Sequence, residues 1–376
     1  MVSKIVKIGA ARPRARTFYE RFMAKEGVPV IEGYGVSDVR EIAMSAWSRL
    51  GCDGAYLQFY GSDGSTGIHA GKIAPGATTL PERHLYEEIV YILAGEGTAE
   101  IQQRDRVPQT ISWQAGSLFA PPMNTLHRLI NHSDKPALFL AITTAPLALD
   151  HYHNEQFVFN CDFAFNDRYD GEDDYFAPSN GRYVAMGKRQ WTHQTNFIPD
   201  LRQCRSETEG EKNNGVKLTQ FEISNNSLIG YLAEWPVGRY RKAHCRSGGV
   251  ALVILRSTGY SLMWPSYLGT EPYKNGVPEK VIRVDWAPGS VFSPPANWYH
   301  QHFNTGHEPA QTLAVYCGSD KFPVGNRAGA LTVENRAPSA ANGDGDDPAI
   351  QRIYEIELER KGVARDKNFS AAANDD

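Results

Sequence analysis

Glu82, His84, Glu88 and His127 are the residues of this 376-residue chain whose types and spacing could hold a metal ion. Glu82 and His84 are two apart in an extended run, so their side chains leave the same face. Glu88 follows a short turn and can return to that face. His127 comes from a distant segment and reaches the others only if the strands between them close into a small barrel. Two imidazoles with one or two carboxylates, leaving coordination positions open, suit Fe(II), Mn(II) or Zn(II). His84, Glu88 and His127 form the two-histidine, one-carboxylate set associated with non-haem Fe(II) oxygenases. Glu82 is either a fourth ligand or an acceptor outside the ligand set, and its charge favours a hard ion. It is also the nearby group that could act as acid or base. Tyr86 and Glu87 are expected on the outer face or in the turn.

The elements that must position these groups read as short β-rich runs from residue 51 onward, such as "GAYLQFYG", "EIVYILAG" and "ALFLAITT", punctuated by Gly, Pro and Asn. That texture predicts an antiparallel sandwich or barrel. Ahead of it, "RARTFYERFMAKE" predicts a short amphipathic helix stopped at Gly27. Residues 149–212 break the rhythm with aromatic and acidic stretches, and the acidic run 167–174 is expected as a solvated loop. The β texture returns from 213 with "KLTQFEI" and "GVALVIL". Beyond 324 the chain turns polar, with "PSAANGDGDD" as a linker. A helix is then expected with Asp347 as N-cap, Pro348 in its first turn and Gly362 at its end, before a disordered tail.

The two β segments are copies. Gly76 of "KIAPG" matches Gly238 of "EWPVG", 162 residues on; "GSLFAPPMNTLHRLIN" at 116 matches "GSVFSPPANWYHQHFN" at 289, 173 residues on. A duplication with an eleven-residue insertion in the second copy explains both offsets. Asn124 and Asn297 stand at one turn position in the two copies, where a positive φ is expected.

The repeated pattern resembles the two motifs of the cupin family. In the first copy the first motif runs Gly76, Glu82, His84, Glu88, Gly95, and the second runs Gly116, Pro122, Asn124, His127, Asn131. The first motif's leading histidine is replaced by Glu82, and a glycine of the second by Asn124. The resemblance implies an all-β fold of two jelly-roll barrels in one chain, a bicupin with short helical N- and C-terminal arms. The divisions are an arm over 1–50, barrels over 51–148 and 213–320, a connecting segment over 149–212, and a linker, helix and tail over 321–376. The chain looks like the two-barrel group often labelled ethanolamine ammonia-lyase-activating proteins, and more remotely like gentisate dioxygenase. It implies a metal-dependent oxygenase with Fe(II), or Mn(II) or Zn(II), at His84, Glu88, His127 and Glu82. Its partners would be O2 and a small, oxygen-bearing, possibly aromatic substrate. A small-molecule-binding or enzyme-activating protein, and an O2-independent lyase or isomerase, are the alternatives.

In the second copy His244 takes the first-histidine position, Arg246 replaces the second, and Val250 or Ala251 falls where the glutamate belongs. His300 is kept and His302 is added. An arginine at a ligand position repels a cation, so this barrel is expected to be metal-free. His244, Arg246, His300 and His302 then line a pocket in which Arg246 offers a planar fork to an anion.

The rest narrows the field by exclusion. A net charge of −4 gives no reason to expect nucleic acid, and no apolar run of 18 residues predicts a membrane span. Five scattered cysteines without a CxxC pair, and no secretory-type N-terminus, predict a cytoplasmic protein with reduced thiols. "HYH" at 151–153 is expected at the surface or in packing, and "GSTGIHAGKI" has the wrong spacing for a phosphate loop. Exposed sheet edges and extended arms predict a homo-oligomer.

Overall fold

The run Glu88–Ala94 shows how the sequence builds two walls from one strand. Val90 and Ile92 pack with Ile101, Trp113, Phe119 and Phe139 inside the first barrel. Ile89 and Tyr91 point the other way, into a core shared with Phe221, Leu232, Val253 and Leu313 of the second half. Alternation therefore places Glu88, two residues before Val90, on the interior face. Because both faces are covered, the run is apolar nearly throughout, and it is central in its sheet, next to Ala137–Thr143.

The computed structural model describes residues 15–62, 64–186, 190–204, 217–245, 249–318, 321–322, 324 and 347–366. The linker expected at 338–347, apart from Asp347, the expected tail, the basic N-terminus and Arg246 lie outside them.

Each half is a sandwich of a large and a small sheet. In the first, Cys52–Phe59, Gly67–Ile73, Ala137–Thr143, Glu88–Ala94 and Leu118–Phe119 follow one another across the large sheet. Leu126–Asn131, Glu96–Gln102 and Gln109–Gln114 form the small one. The second half repeats this with Lys217–Ile223, Leu228–Trp235, Ala310–Cys317, Val250–Arg256 and Val291–Phe292, opposed by Tyr240–Cys245, Trp298–Asn304, Gly259–Pro265 and Ile282–Trp286. The large sheets pack against each other through the shared core. These are two jelly-roll barrels, and the fold is all-β with few helices, as the spacing of the short runs predicts.

The duplication reaches further than the motifs. Asp38 and Arg40, ahead of the first barrel, correspond at the same 162-residue offset to Asp200 and Arg202, ahead of the second. Each arm clips onto the other barrel. Gly35–Val36 pairs with Val291–Phe292, and Phe197–Ile198 with Leu118–Phe119. Val39 N–H donates to Gly289 O at 2.9 Å, and Leu201 N–H to Gly116 O at 2.8 Å. Arg40 donates to Pro288 O at 2.6 Å, and Arg202 to Ala115 O at 2.7 Å. Glycine is required at both docking points. Gly116 and Gly289 have φ of 99° and 98°, and a Cβ there would stand 2.2 Å from Asp200 Oδ1 and 2.7 Å from Asp38 Oδ1.

The helices cover what the sheets leave open. Thr17 and Glu20 form a capping box on Phe18–Lys25. Tyr19, Phe22 and Met23 of that helix pack with Trp47, Leu50, Tyr86, Leu149 and Val158. The segment expected only as an irregular stretch over 149–212 contributes Glu155–Asn160, the end of Ala145–Tyr152, and three short strands. Of the acidic run, Glu172, Asp173 and Asp174 are exposed, but Tyr169 is buried in the first barrel's core. His151, Tyr152 and His153 are exposed at a helix end. Pro348–Lys361, capped by Asp347 and ended by Gly362 at φ 67°, lays Ile350, Tyr354 and Leu358 on the second barrel's small sheet.

Candidate metal centre

Two local devices aim the side chains. Thr78 pairs with Ile130 and Glu82 with His127, so four steps on one segment run beside three on the other. This extra residue is a β-bulge, and it turns Glu82 toward the interior beside His127. After it, the bend at Leu85–Tyr86 brings Glu88 back into the barrel. Asn124, at φ 62°, makes the tight turn ahead of His127, and its side chain donates to Cys161 O and Phe163 O. Asn297 holds the same conformation at φ 59° in the second barrel.

The structure brings His84, Glu88, His127 and Glu82 together. Glu88 Oε2 lies 3.5 Å from His84 Nε2 and 3.3 Å from His127 Nε2. Glu82 Oε1 is 4.0 Å from His127 Nε2, and one ligand atom from each of Glu82, His84 and His127 lies within 4.8 Å of the others. Both imidazoles have a defined second partner. His84 Nδ1 faces Tyr86 O at 2.9 Å and His127 Nδ1 faces Thr125 O at 3.1 Å. A carbonyl only accepts, so each Nδ1 carries a proton, and Nε2 is the atom each ring turns to Glu88. The His84 ring stacks on Tyr86 at 3.6 Å, 3° from parallel, which fixes its plane.

The fit to an ion can be tested on these atoms. Ligands bound at about 2.1 Å around a common ion stand about 3.0–3.4 Å apart, close to the observed 3.3 and 3.5 Å. His84 Nε2 and His127 Nε2 are buried and make no hydrogen bond. A buried polar atom left so costs about 1–3 kcal/mol, and a bound cation removes that cost.

Electrostatics prepares the same site. Burial would raise the Glu88 pKa, but His127 and His84 hold it well below the usual carboxylate range. Burial would lower the His127 pKa, but Glu88, then Glu82, holds it above the ordinary value. Glu82 is tied on one side only: Arg49 donates to its Oε2 at 2.5 Å, leaving Oε1 to face the site. Burial opposes the charge on Arg49, yet Glu82 and the surrounding phenols and Glu26 hold its pKa well above the usual value. Trp47, Phe22 and Phe159 surround that guanidinium at 5.1–5.7 Å.

Three residues were not foreseen in their places. His69, on Gly67–Ile73, is buried with its Nε2 3.9 Å from Glu88 Oε1 and without a hydrogen bond. Burial lowers its pKa, so it stands neutral behind the carboxylate. Its alternation with Gly71 and Ile73 was the available signal, since the even-numbered neighbours Ile68 and Ala70 face the shared core. Tyr86 and Glu87, expected on an outer face, are both buried. They do lie at the bend, but helices cover Tyr86, and the second barrel covers Glu87. The Glu87 carboxylate accepts from Ser227 N, Ser227 Oγ, Leu228 N and Arg168.

The cavity beside the site is about 20 Å³, lined by Glu82, Glu88, His127 and Arg128 with apolar walls that include Ile101, Phe119 and Phe139. It holds one or two water-sized groups. In the second barrel His244, His300 and His302 also converge.

Residues 71–143 match the cupin domain. The second half repeats the two-sheet barrel of that match. Similar solved structures include a salicylate 1,2-dioxygenase from Pseudaminobacter salicylatoxidans, 12% identical over 68% of this chain and 71% of that one, with a TM-score of 0.49. A variant of Bacillus subtilis oxalate decarboxylase is 13% identical over 88% and 86%, at 0.48. Vicilin from hazelnut, Corylus avellana, is 13% identical over 67% and 75%, at 0.42. At these identities none of them bears on the reaction. No curated protein matches the chain. Among the described residues no helix is long and apolar enough to cross a membrane.

Proposed function

We propose that the first barrel is the active site of a metal-dependent oxygenase for a small oxygen-bearing substrate. His84, His127 and Glu88 hold the ion, Fe(II) first and Mn(II) or Zn(II) next, with Glu82 Oε1 beside them. The observation that supports this most is the pair of buried imidazoles whose Nδ1 protons are taken by carbonyls and whose Nε2 atoms face one carboxylate oxygen. An ion bound there would supply Lewis acidity toward substrate oxygens and redox capacity toward O2.

The protein's own groups do the rest. Glu82 keeps one oxygen bound to Arg49 and can hold a proton on the other, at the position a substrate hydroxyl would face. Ile101, Phe119, Leu129 and Phe139 keep bulk water away. A cavity of about 20 Å³ supports acids or enols of a few heavy atoms ahead of aromatic compounds.

Glu82, an acid–base group with one free oxygen, also favours a second reading, a lyase or isomerase that uses no O2. Metal analysis of protein purified without added ions, with oxygen uptake on short hydroxy and oxo acids, diketones and catechols, separates the two. Uptake that vanishes in His84→Ala is expected. Full metal content and full activity in His84→Ala would sink the site assignment, and equal turnover without air would favour the second reading.

A further inference from the structure

The second barrel closes its interior with a polar pair. Ser261 and His302 stand opposite each other on Gly259–Pro265 and Trp298–Asn304, with Oγ and Nδ1 2.7 Å apart. Trp286, on the neighbouring Ile282–Trp286, donates its indole N–H to the same Ser261 oxygen at 3.1 Å. The offsets that relate the two copies, 162 and 173 residues, put Ala99, Leu129 and Trp113 at these three positions of the first barrel. The registers agree. Ala99 stands opposite Leu129, and Gly97 stands opposite Trp113 as Gly259 stands opposite Trp286.

The two indoles hold one pose. A Cβ on Gly97 would stand 2.6 Å from Cζ2 and 2.8 Å from Cη2 of Trp113. One on Gly259 would stand 2.5 Å and 2.4 Å from the same atoms of Trp286. Trp113 Nε1 is therefore directed toward residue 99 as Trp286 Nε1 is toward residue 261. Ala99 has no oxygen to offer, and Trp113 Nε1 is buried without a hydrogen bond. Trp113 also borders an outer groove with Thr98, Ser112 and His132, but its nitrogen is shut off from solvent. On the inner side is the cavity of the metal centre, whose wall includes Ala99 and Leu129. That pair is the next on the same face after Ile101 and His127. An indole nitrogen only donates, and an acceptor lodged against Ala99 would relieve the cost of leaving it unpaired.

We propose that the Trp113 indole N–H binds the end of the substrate away from the metal. It selects a carboxylate or carbonyl oxygen there over an ammonium or alkyl group. This rests on the proposed function only in taking that cavity as the substrate's place, and it needs no O2.

The test uses the full chain loaded with Zn(II) and isotope-labelled at its indole nitrogens, with formate, glycolate and pyruvate as probes. The NMR signal lost in Trp113→Phe is that of Trp113. On saturation with an acid this N–H is expected to shift downfield, while that of Trp286, already bonded to Ser261, stays. Calorimetry should show at least about tenfold weaker acid binding in Trp113→Phe, as for one hydrogen bond to a charged group. Ala99→Ser copies the Trp–Ser pair of the second barrel into the first, and it serves if Trp113→Phe folds poorly by circular dichroism. It should move one indole signal without any acid, and weaken acid binding by a similar factor. Acids that bind without shifting the Trp113 signal, or that bind either folded variant as tightly as the parent, overturn the inference and leave the cavity reading standing. No binding by any of the three overturns both. A shifted Trp113 signal without oxygen uptake supports the inference and counts against the oxygenase alone.

Discussion

Glu82 and Glu88 differ in what already balances their charge. Arg49 neutralises Glu82 before any ion arrives, while Glu88 faces only imidazoles. Removing Glu88 should therefore cost more than removing Glu82. Glu88→Gln is expected to abolish stoichiometric metal in the first barrel, and Glu82→Gln to keep the metal while losing most turnover. Metal analysis beside steady-state rates checks both, and loss of metal in Glu82→Gln would make Glu82 a ligand. His69→Phe keeps the ring contacts with Trp47 and Phe139 but removes the nitrogen behind Glu88. Metal affinity is expected to fall about 10–100-fold, as for other groups that orient ligands, which titration under competing chelator would read.

The gathering of Glu82, His84, Glu88 and His127 was legible because it depends on period-two alternation and one turn, both written in local spacing. His69 was legible only in part: alternation with Gly71 and Ile73 puts it on the interior face, but only the pairing of Gly67–Ile73 with Ala137–Thr143 carries it to Glu88. The cavity's size was not legible either, since Phe119 and Phe139 fill it from strands far apart in the chain.

At the scale of elements, the strand that carries Glu88 also carries the joint between the barrels. Glu87 is 3% exposed and accepts two backbone N–H groups at the start of Leu228–Trp235. Glu87→Ala leaves Ser227 N, Leu228 N and Arg168 without that carboxylate. A loss of about 2–3 kcal/mol is expected from stranded buried donors, read as a lower urea midpoint. If the joint also orients Glu88, metal affinity falls with it; an unchanged affinity would confine Glu87 to stability. Of the expected outer face or turn, the turn holds for Glu87 and the outer face does not: a bend normally reaches solvent, and the second barrel's arrival buries this one.

The arms give a second element-scale expectation. Gly116→Ala and Gly289→Ala force an L residue to a positive φ, at about 1–2 kcal/mol, and also push on the opposing aspartate. Both should lower the thermal midpoint by similar amounts, because the two clips are built alike. The arm repeat was hard to see in sequence: of "VSDVR" and "IPDLR" only the aspartate and arginine are identical.

For the whole molecule, a shared core and two exchanged arms leave neither barrel with a surface of its own to unfold from. A single cooperative transition is expected in calorimetry, and metal at about 100 times its Kd should stabilise it by about 2.7 kcal/mol. Two resolved transitions would show that the barrels are energetically separate. The same arms cover edges of the large sheets, which removes part of the ground for a homo-oligomer. An association through a small-sheet edge such as Gln109–Gln114 or Ile282–Trp286 is still to propose, and light scattering decides it.

The reciprocal clips have one more consequence. Severing the polypeptide at residues 187–189 would leave the Asp38 clasp on one fragment and the Asp200 clasp on the other, each fitted to its counterpart. Co-expressed as two separate chains, the fragments should find each other and assemble as a heterodimer, so that two genes could do the work of one.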